Sequence, residues 1–396
     1  MKITFVLPGI GFSGGIRTIF ECSNRLIDRG HQVSIVYPLV LKKNKSSYGM
    51  KGRIFTLLSV FKRLLSGNQV RWFSLKANVI RIPYLWNINI IEKNIPEADI
   101  VVATAAETAY FVNSLGGKCG KKMYFVQHYE LWEIWNNLDC WNKLEQQKMD
   151  STDMPKIIPE GIRSREYKDR VDTTYSMPFK VFSTSSWLNK LISKNFDMEI
   201  VGSVDIGNNN KYFCPDNAAQ KNGNLILMPF RGEVWRGDND GIRAFELVKE
   251  KYPEIHFVLY GTLSNRTKAP SWAKYYSDIS DEKLRELYRR ADIFVLPSWV
   301  EGWCSPPMEA MSCGTACVCT NVGAIPDYAI DQETALIVPP RDPLAIANAC
   351  MELLRDGKKR NRIATAGFEH IKPYTWERTA VQMEKIFEKV LDKSAI

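Results

Sequence analysis

Residues 292–320, DIFVLPSWVEGWCSPPMEAMSCGTACVCT, contain the pattern that decides the fold of this chain. Short apolar runs at 292–297 and 316–320 predict two buried strands. The segment between them predicts a short helix near 307–312, with two prolines in its first turn. A strand, a helix and a second strand in this order are typical of a parallel sheet flanked by helices.

The same alternation of short apolar and longer amphipathic segments extends over all 396 residues. Further strands are predicted at 2–8, 31–37, 99–104, 122–127, 180–184, 199–204, 224–229 and 256–260. The main helices are predicted at 16–29, 240–252, 281–290 and 376–393. A polar stretch rich in Asn and Gly, at 206–223, separates two halves of ordinary domain size.

We therefore predict an α/β fold of two Rossmann-like, doubly wound domains that face a central cleft. The first domain is assigned to 1–205 and the second to 206–373. A terminal helical segment, 374–396, is long enough to return to the first domain.

Positive charge is concentrated in the first quarter of the chain. The net charge is +9, and residues 1–100 contain 15 Lys and Arg against 5 Asp and Glu. Within 41–73, apolar side chains recur at helical spacing among basic ones, which is typical of a helix in a membrane interface. A helix packed on its own domain is an equal alternative. No nucleic-acid-binding motif accompanies the charge, so we expect no nucleic-acid partner.

Location and metal content are constrained by what the sequence lacks. It has no run of roughly 18 apolar residues, and its start, MKITFVLPGIG, lacks the pattern of a signal peptide. We expect a cytoplasmic protein, at the inner face of the cytoplasmic membrane if 41–73 binds lipid. Its 9 cysteines form no Cys-x-x-Cys pair, which favours reduced thiols over a metal site.

A glycine-rich turn follows the first predicted strand. Gly9, Gly11 and Gly14 match G-x-G-x-x-G, which favours a dinucleotide site only if a carboxylate ends the second strand. That strand ends in Val-Tyr-Pro, which disfavours an NAD-dependent dehydrogenase. Gly14 and Gly15 precede a helix, where a backbone without side chains can approach a phosphate or a sugar.

Two glutamates flank the start of the helix near 307–312. Glu301 lies in the loop at the carboxyl end of a strand, and Glu309 lies about one turn into the helix. Both can face the cleft, where carboxylates accept hydrogen bonds from sugar hydroxyls and the helix end attracts an anion. A pair of capping glutamates on a surface helix is the alternative.

Two arginines follow the strand that opens the second half. The sequence there reads RGEVWRG, from Arg231 to Gly237. Guanidinium groups at the carboxyl end of a parallel strand are well placed to clamp a diphosphate. The alternative is a pair of exposed arginines that form salt bridges with Glu233 and Asp238.

These motifs resemble those of retaining glycosyltransferases of the GT-B fold, specifically glycosyltransferase family four (glycosyl transferases group 1). Glu301 and Glu309 match the Glu-x7-Glu signature, and Arg231 and Arg236 match the Arg-x4-Lys element, with Arg in place of Lys. The resemblance covers nearly the whole chain and is specific in the second half. It implies a nucleotide-diphosphate sugar as donor, retention of anomeric configuration, and no required metal or other cofactor.

The resemblance also implies a role for each matching residue. Glu309 would bind the donor ribose and Glu301 the transferred sugar. The backbone amides of Cys304 and Ser305, which replace the more usual Gly-Leu, would contact sugar hydroxyls or phosphate. A loop near 276–281 would read the base.

The remaining roles concern the diphosphate and the donor sugar. Arg231 and Arg236 would stabilise the departing diphosphate, and Gly14 and Gly15 would approach it from the first domain. His128 matches a histidine near the donor sugar, although a strand-end histidine with only local hydrogen bonds is equally well supported. The candidate catalytic residues are Arg231, Arg236, Glu301 and His128; the candidate donor-binding residues are Gly14, Gly15, Cys304, Ser305 and Glu309.

The predicted function is transfer of a sugar, with a rhamnosyl donor as one option, to a saccharide or lipid-linked saccharide in surface polysaccharide biosynthesis. A GT-B-fold sugar-nucleotide epimerase is an alternative, and it would need a catalytic acid and base in the cleft. A non-catalytic subunit that binds nucleotide sugars or glycans is a second. Tyr129, Trp132, Trp135 and Trp141 could form an acceptor-sugar platform, although at least half of them are expected in the core.

Overall fold

Two parallel β-sheets form the framework of the protein. The computed structural model describes residues 1–38, 70–82, 95–216, 221 and 223–392. The first sheet contains β1 (Lys2–Val6), β2 (Gln32–Pro38), β3 (Asn78–Ile82), β4 (Ile100–Ala103), β5 (Lys121–Val126), β6 (Lys180–Ser183) and β7 (Glu199–Ser203). The second contains β8 (Leu225–Pro229), β9 (His256–Gly261), β10 (Lys274–Ser277), β11 (Ile293–Leu296), β12 (Ala316–Thr320) and β13 (Leu336–Val338).

Strand order places a topological switch point in each sheet. The first sheet has the order β3-β2-β1-β4-β5-β6-β7 and the second β10-β9-β8-β11-β12-β13. The order reverses between β1 and β4 in one and between β8 and β11 in the other, and ligands of doubly wound sheets bind at the carboxyl ends of such strands. This topology confirms the predicted α/β fold of two Rossmann-like domains.

Helices cover both sheets. In the first half they are α1 (Gly14–Asp28), α2 (Ala106–Ser114), α3 (Trp132–Trp135), α4 (Leu138–Gln146), α5 (Ile162–Thr174) and α6 (Ser186–Asn195). In the second half they are α7 (Asp238–Lys251), α8 (Asp281–Arg290), α9 (Ser305–Ser312), α10 (Ile325–Tyr328), α11 (Pro343–Arg355), α12 (Gly357–Ile371) and α13 (Trp376–Leu391).

The central strands consist almost entirely of apolar residues, which favour a buried position in the sheet. Every residue of β4, β11 and β12 is buried, as expected for strands covered by helices on both faces. Three strands, β3, β10 and β13, were not predicted. The first two are edge strands with several half-buried or polar residues, and the third has only three residues, so none shows a strong apolar run.

The chain crosses between the domains twice at one place. Asn208 of the first crossing pairs with Thr375 of the second, and a Cβ on Gly207 would lie 2.3 Å from the backbone nitrogen of Trp376. Beyond this point α13 packs against α1 of the first domain, where Glu384 bonds His31 at 2.7 Å.

The proposed membrane helix lies almost entirely outside the described residues, since 39–69 are not among them. Within the described part of the chain, no helix combines the length and the apolar composition needed to cross a membrane.

Candidate active site

The loop after β8 presents both arginines at the switch point of the second sheet. Its turn is held by Asp238, whose Oδ2 accepts hydrogen bonds from the backbone N–H groups of Arg231 (2.8 Å) and Gly232 (2.5 Å). Gly232 has a φ of +86°, a conformation that favours glycine. Asp238 is also the first residue of α7, where a carboxylate stabilises the helix start. Burial raises the pKa of Asp238 to about 6.

A small cavity opens between the loops that follow β8 and β11. These strands are neighbours in the sheet, so their carboxyl ends meet. Charged side chains from both loops line the cavity together with small and apolar ones. The lining residues are Pro229, Arg231, Arg236, Asp238, Leu296, Ser298, Glu301, Cys304 and Pro306.

A half-buried Arg236 and a buried Glu301 form an ion pair at this cavity. Arg236 Nη1 donates to Glu301 Oε1, which also accepts a hydrogen bond from Ser298 Oγ at 2.9 Å. The Arg236 guanidinium lies 3.7 Å from the ring centre of Trp235, and its buried Nε has no hydrogen-bond partner among the described residues. The pair therefore leaves the Nε–H donor of Arg236 uncommitted.

Arg231 differs from Arg236 in having no ion pair. Its side chain lines the cavity and, within the described residues, has neither a hydrogen bond nor a salt bridge. The alternative in which the two arginines pair with Glu233 and Asp238 is therefore wrong. Arg231 bonds Asp238 through its backbone N–H group and not through its side chain, and Arg236 pairs with Glu301. Two guanidiniums with spare donors at one cavity can bind a diphosphate.

Glu309 lies on α9, outside the lining of this cavity, and is held by a tyrosine. Tyr288 Oη donates to Glu309 Oε2 at 3.1 Å and is itself 3.1 Å from Tyr260 Oη. Burial raises the pKa of Glu309, while the positive charges of Arg17 and Arg231 and the Tyr288 hydroxyl act in the opposite direction. Glu309 therefore lies within electrostatic range of arginines from both domains.

The start of α9 offers backbone donors at the cavity. Pro306 and Pro307 have no N–H group, so Cys304 and Ser305 supply the donors that the first turn leaves open. Cys304 has a φ of +73°, which is uncommon for a residue with a side chain and explains why glycine would be the usual residue here. Burial raises the pKa of the Cys304 thiol, which therefore stays protonated.

The first domain contributes its own glycine turn and touches the second domain. Gly14 and Gly15 begin α1, and a Cβ on Gly15 would lie 3.3 Å from Gln127 Oε1, whereas Gly14 has open space around it. Across the cleft, a Cβ on Gly302 would lie 2.1 Å from the carbonyl oxygen of Gln127. The two domains are therefore in direct backbone contact beside Glu301.

His128 follows β5 and faces an aromatic cluster. Its Nδ1 lies 2.9 Å from the carbonyl oxygen of Tyr129, so Nδ1 carries the proton and Nε2 has the free lone pair. Nε2 is buried and has no partner among the described residues. The ring is packed by Trp132 at 4.5 Å and Trp235 at 5.7 Å. Burial lowers the pKa of His128 to about 4, so the imidazole is neutral at pH 7.

This burial predicts a stability change in mild acid. Because the pKa of His128 is about 4 in the folded protein and about 6.5 in an unfolded chain, only the unfolded state binds the proton between these values. The stabilising contribution is complete above pH 6.5 and is lost as the pH falls towards 4. In urea unfolding, wild type should lose more stability over this interval than His128→Gln. Equal losses in both proteins would contradict the buried, neutral imidazole.

The aromatic residues after His128 divide as expected into core and surface. Tyr129, Trp135 and Trp141 are buried, whereas Trp132 is 43% exposed. Trp132 also lies 5.9 Å from Trp235 of the second domain, measured between ring centres. One tryptophan face is therefore available at the cleft, next to the cavity that holds Arg236.

Several residues of the site were not predicted as such. Ser298 and Tyr288 bond the two glutamates, Asp238 holds the arginine turn, and Arg17 of α1 reaches the second domain. For Asp238 the sequence does offer a signal, because an acidic residue lies just before the helix predicted at 240–252, and the helix in fact begins at Asp238. The roles of Ser298, Tyr288 and Arg17 can be recognised only from the tertiary structure, which brings them close to their partners.

Comparison with known proteins shows sequence similarity in the second domain. Residues 213–370 match the family model described as Glycosyl transferases group 1. O-antigen chain mannosyltransferase B of Escherichia coli is 35% identical over 120 residues, which are 30% of this chain and 31% of that protein. D-inositol 3-phosphate glycosyltransferase of Corynebacterium diphtheriae is 34% identical over 106 residues, which are 27% of this chain and 25% of that protein. The chain thus spans about a third or less of the length of these curated relatives.

Solved structures extend the similarity to both domains at the level of fold. Sucrose-phosphate synthase from Thermosynechococcus elongatus has a TM-score of 0.68 at 16% identity, with 98% of each chain covered. HepE of Anabaena, solved in complex with UDP and glucose, has a TM-score of 0.68 at 13% identity, with 100% of each chain covered. Residues 213–370 are therefore similar to the glycosyl transferases group 1 family, within a chain that has the two-domain GT-B fold.

Proposed function

We propose that the protein is a retaining glycosyltransferase that uses a nucleotide-diphosphate sugar as donor. The observation that carries this proposal is the convergence of Arg231, Arg236 and Glu301 on one cavity at the switch point of the second sheet. Two guanidiniums can neutralise a departing diphosphate, and a carboxylate can bind sugar hydroxyls. The family match and the names of the relatives are consistent with this chemistry.

In the proposed reaction the charge that develops on the leaving diphosphate is met by Arg231, Arg236 and the N–H groups of Cys304 and Ser305. The bond between the anomeric carbon and the diphosphate oxygen breaks, and a bond to the acceptor oxygen forms on the same face. The acceptor hydroxyl gives its proton to the departing phosphate oxygen. These groups stabilise the charge without requiring a metal or another cofactor, and Glu301 orients the sugar.

We propose a saccharide, or a lipid-linked saccharide of surface polysaccharide biosynthesis, as the acceptor. The exposed face of Trp132 at the cleft supports this class, since sugar rings stack on aromatic faces. A rhamnosyl donor stays one option. Contact of 41–73 with the inner face of a membrane is a further proposal, supported by the excess of basic residues in that segment.

The donor site is tested by binding of nucleoside diphosphates and by Glu309→Ala. UDP, GDP, dTDP and ADP should be screened by thermal shift, with NAD as a negative control, and a bound nucleotide should raise the melting temperature. For the nucleotide that binds, Glu309→Ala should raise Kd at least about ten-fold, because a hydrogen-bonded carboxylate is lost. The matched control is Glu286→Ala, a surface glutamate paired with Lys283 and Arg290.

The same screen separates the alternatives. Binding of NAD alone, or an unchanged Kd in Glu309→Ala, would overturn the donor site. If a nucleotide sugar binds, a transferase releases the nucleoside diphosphate and an epimerase converts the sugar nucleotide into its epimer, which chromatography resolves. Binding without either product would identify a non-catalytic subunit.

A further inference from the structure

Arg17 is a cation of the first domain that lies close to the second domain at the cleft. It lies on α1, three residues after Gly14, and therefore on the same side of that helix. Its Nη1 is 3.8 Å from Asp281 Oδ2, at the start of α8 in the second domain. Among the charges around Glu309, that of Arg17 has the largest effect on the carboxyl group. Arg17 thus lies beside Asp281 of the second domain, and its positive charge acts on Glu309.

The guanidinium of Arg17 is nevertheless not engaged in a hydrogen bond. Its separation from Asp281 is 3.8 Å and that from Glu21, on its own helix, is 4.0 Å. Both exceed the length of a hydrogen bond. Within the described residues no other partner of this side chain exists, and the side chain is 24% exposed. Five N–H donors are therefore available at the point where the two domains meet.

Arg25, on the same helix, shows the contrast. It lies 2.8 Å from Glu21 and 3.4 Å from Glu377 of α13, so its charge serves contacts around the first domain. Arg17 instead lies 3.8 Å from Asp281 of the second domain, and its charge acts on Glu309, the carboxylate that the proposed function assigns to the donor ribose. An arginine with open donors beside that position suits the charged and hydroxyl-bearing part of a nucleotide.

We propose that Arg17 binds the ribose-diphosphate portion of the nucleotide sugar from the first domain, as a third arginine beside Arg231 and Arg236. This inference rests on the proposed function and adds a residue that couples donor binding to closure of the cleft. When the nucleotide is bound, the guanidinium exchanges its weak attraction to Asp281 for hydrogen bonds to the ligand. Donor binding therefore holds the two domains together.

The test is the affinity of the full-length protein for the nucleoside diphosphate found in the thermal-shift screen, measured by isothermal titration. Arg17→Ala should raise Kd about ten-fold, because charge-assisted hydrogen bonds are lost. Arg17→Lys should recover part of that loss. Arg25→Ala removes the same charge from the same helix and should leave Kd within two-fold of wild type.

A comparison of the nucleoside diphosphate with the matching nucleoside distinguishes ligand contact from a simple latch between domains. If Arg17 binds the diphosphate, Arg17→Ala should weaken binding of the nucleoside diphosphate and leave binding of the nucleoside nearly unchanged. If Arg17 only closes the cleft through Asp281, Arg17→Ala should weaken binding of both ligands by the same factor, and the inference is wrong. It is also wrong if wild type binds the nucleotide and Arg17→Ala binds it equally well. If wild type binds no nucleoside diphosphate, the proposed function fails together with it.

Discussion

Arg236→Ala should lower kcat about 10²- to 10³-fold, the largest loss expected from a single side chain of the cavity. Its guanidinium is ion-paired with Glu301, and its buried Nε has no hydrogen-bond partner in the part of the chain that the structure describes. A preorganised hydrogen-bond donor that faces the charge developing on the leaving diphosphate contributes a factor of this size to kcat. Water cannot take the place of such a donor in a site from which water is excluded. The measurement is the rate of nucleoside diphosphate release from the donor sugar.

Two further variants show whether the loss is chemical. Arg236→Ala also leaves Glu301 buried with Ser298 as its remaining partner, so thermal unfolding must show that the variant is folded. Arg236→Lys keeps the charge in the form that the family motif usually carries and should have an intermediate kcat. Arg243→Ala, an exposed arginine paired with Glu246, should be unaffected. A kcat within a few-fold of wild type in folded Arg236→Ala would contradict the diphosphate role.

Gly302→Ala should lower kcat about 10²-fold while the protein stays folded. The added Cβ would lie 2.1 Å from the carbonyl oxygen of Gln127, too close for any real contact, and neither atom belongs to a flexible side chain. Because the two residues are in different domains, the clash can be relieved by opening the cleft rather than by unfolding either core. A displacement of about 1 Å at the reacting groups is enough for a loss of this size.

Glycine substitutions elsewhere provide matched controls. A Cβ on Gly261 would lie 1.9 Å from the carbonyl oxygen of Phe230, inside the second domain, so Gly261→Ala should lower the melting temperature instead. Gly117 has open space, and Gly117→Ala should change neither stability nor kcat. Small-angle scattering should show a more open Gly302→Ala protein. Wild-type kcat in that variant would mean that the domains do not need this contact during turnover.

The sequence predicted which residues belong to the candidate site, but not which of them contact one another. Glu301 and Arg231 stand directly after apolar runs, and the carboxyl ends of parallel strands gather at one edge, so the sequence places them at the mouth of a sheet. It does not say that β8 and β11 are neighbours, and this adjacency brings Arg236 to Glu301. The roles assigned to all the site residues stay predictions; these residues are Arg231, Arg236, Glu301, His128, Gly14, Gly15, Cys304, Ser305 and Glu309.

The sequence by itself determined the α/β class, the two-domain division and the central strands, because uninterrupted apolar runs can be buried only between layers of helices. Edge strands such as β3 and β10 could not be predicted from the sequence, because a half-exposed strand does not require an uninterrupted apolar run. Only the tertiary structure decided which charges meet: Arg236 with Glu301, and Arg17 with Asp281 across the cleft. The physical reason is that charge pairing depends on distance in space, and residues 65 or more positions apart acquire that distance only when strands and domains assemble.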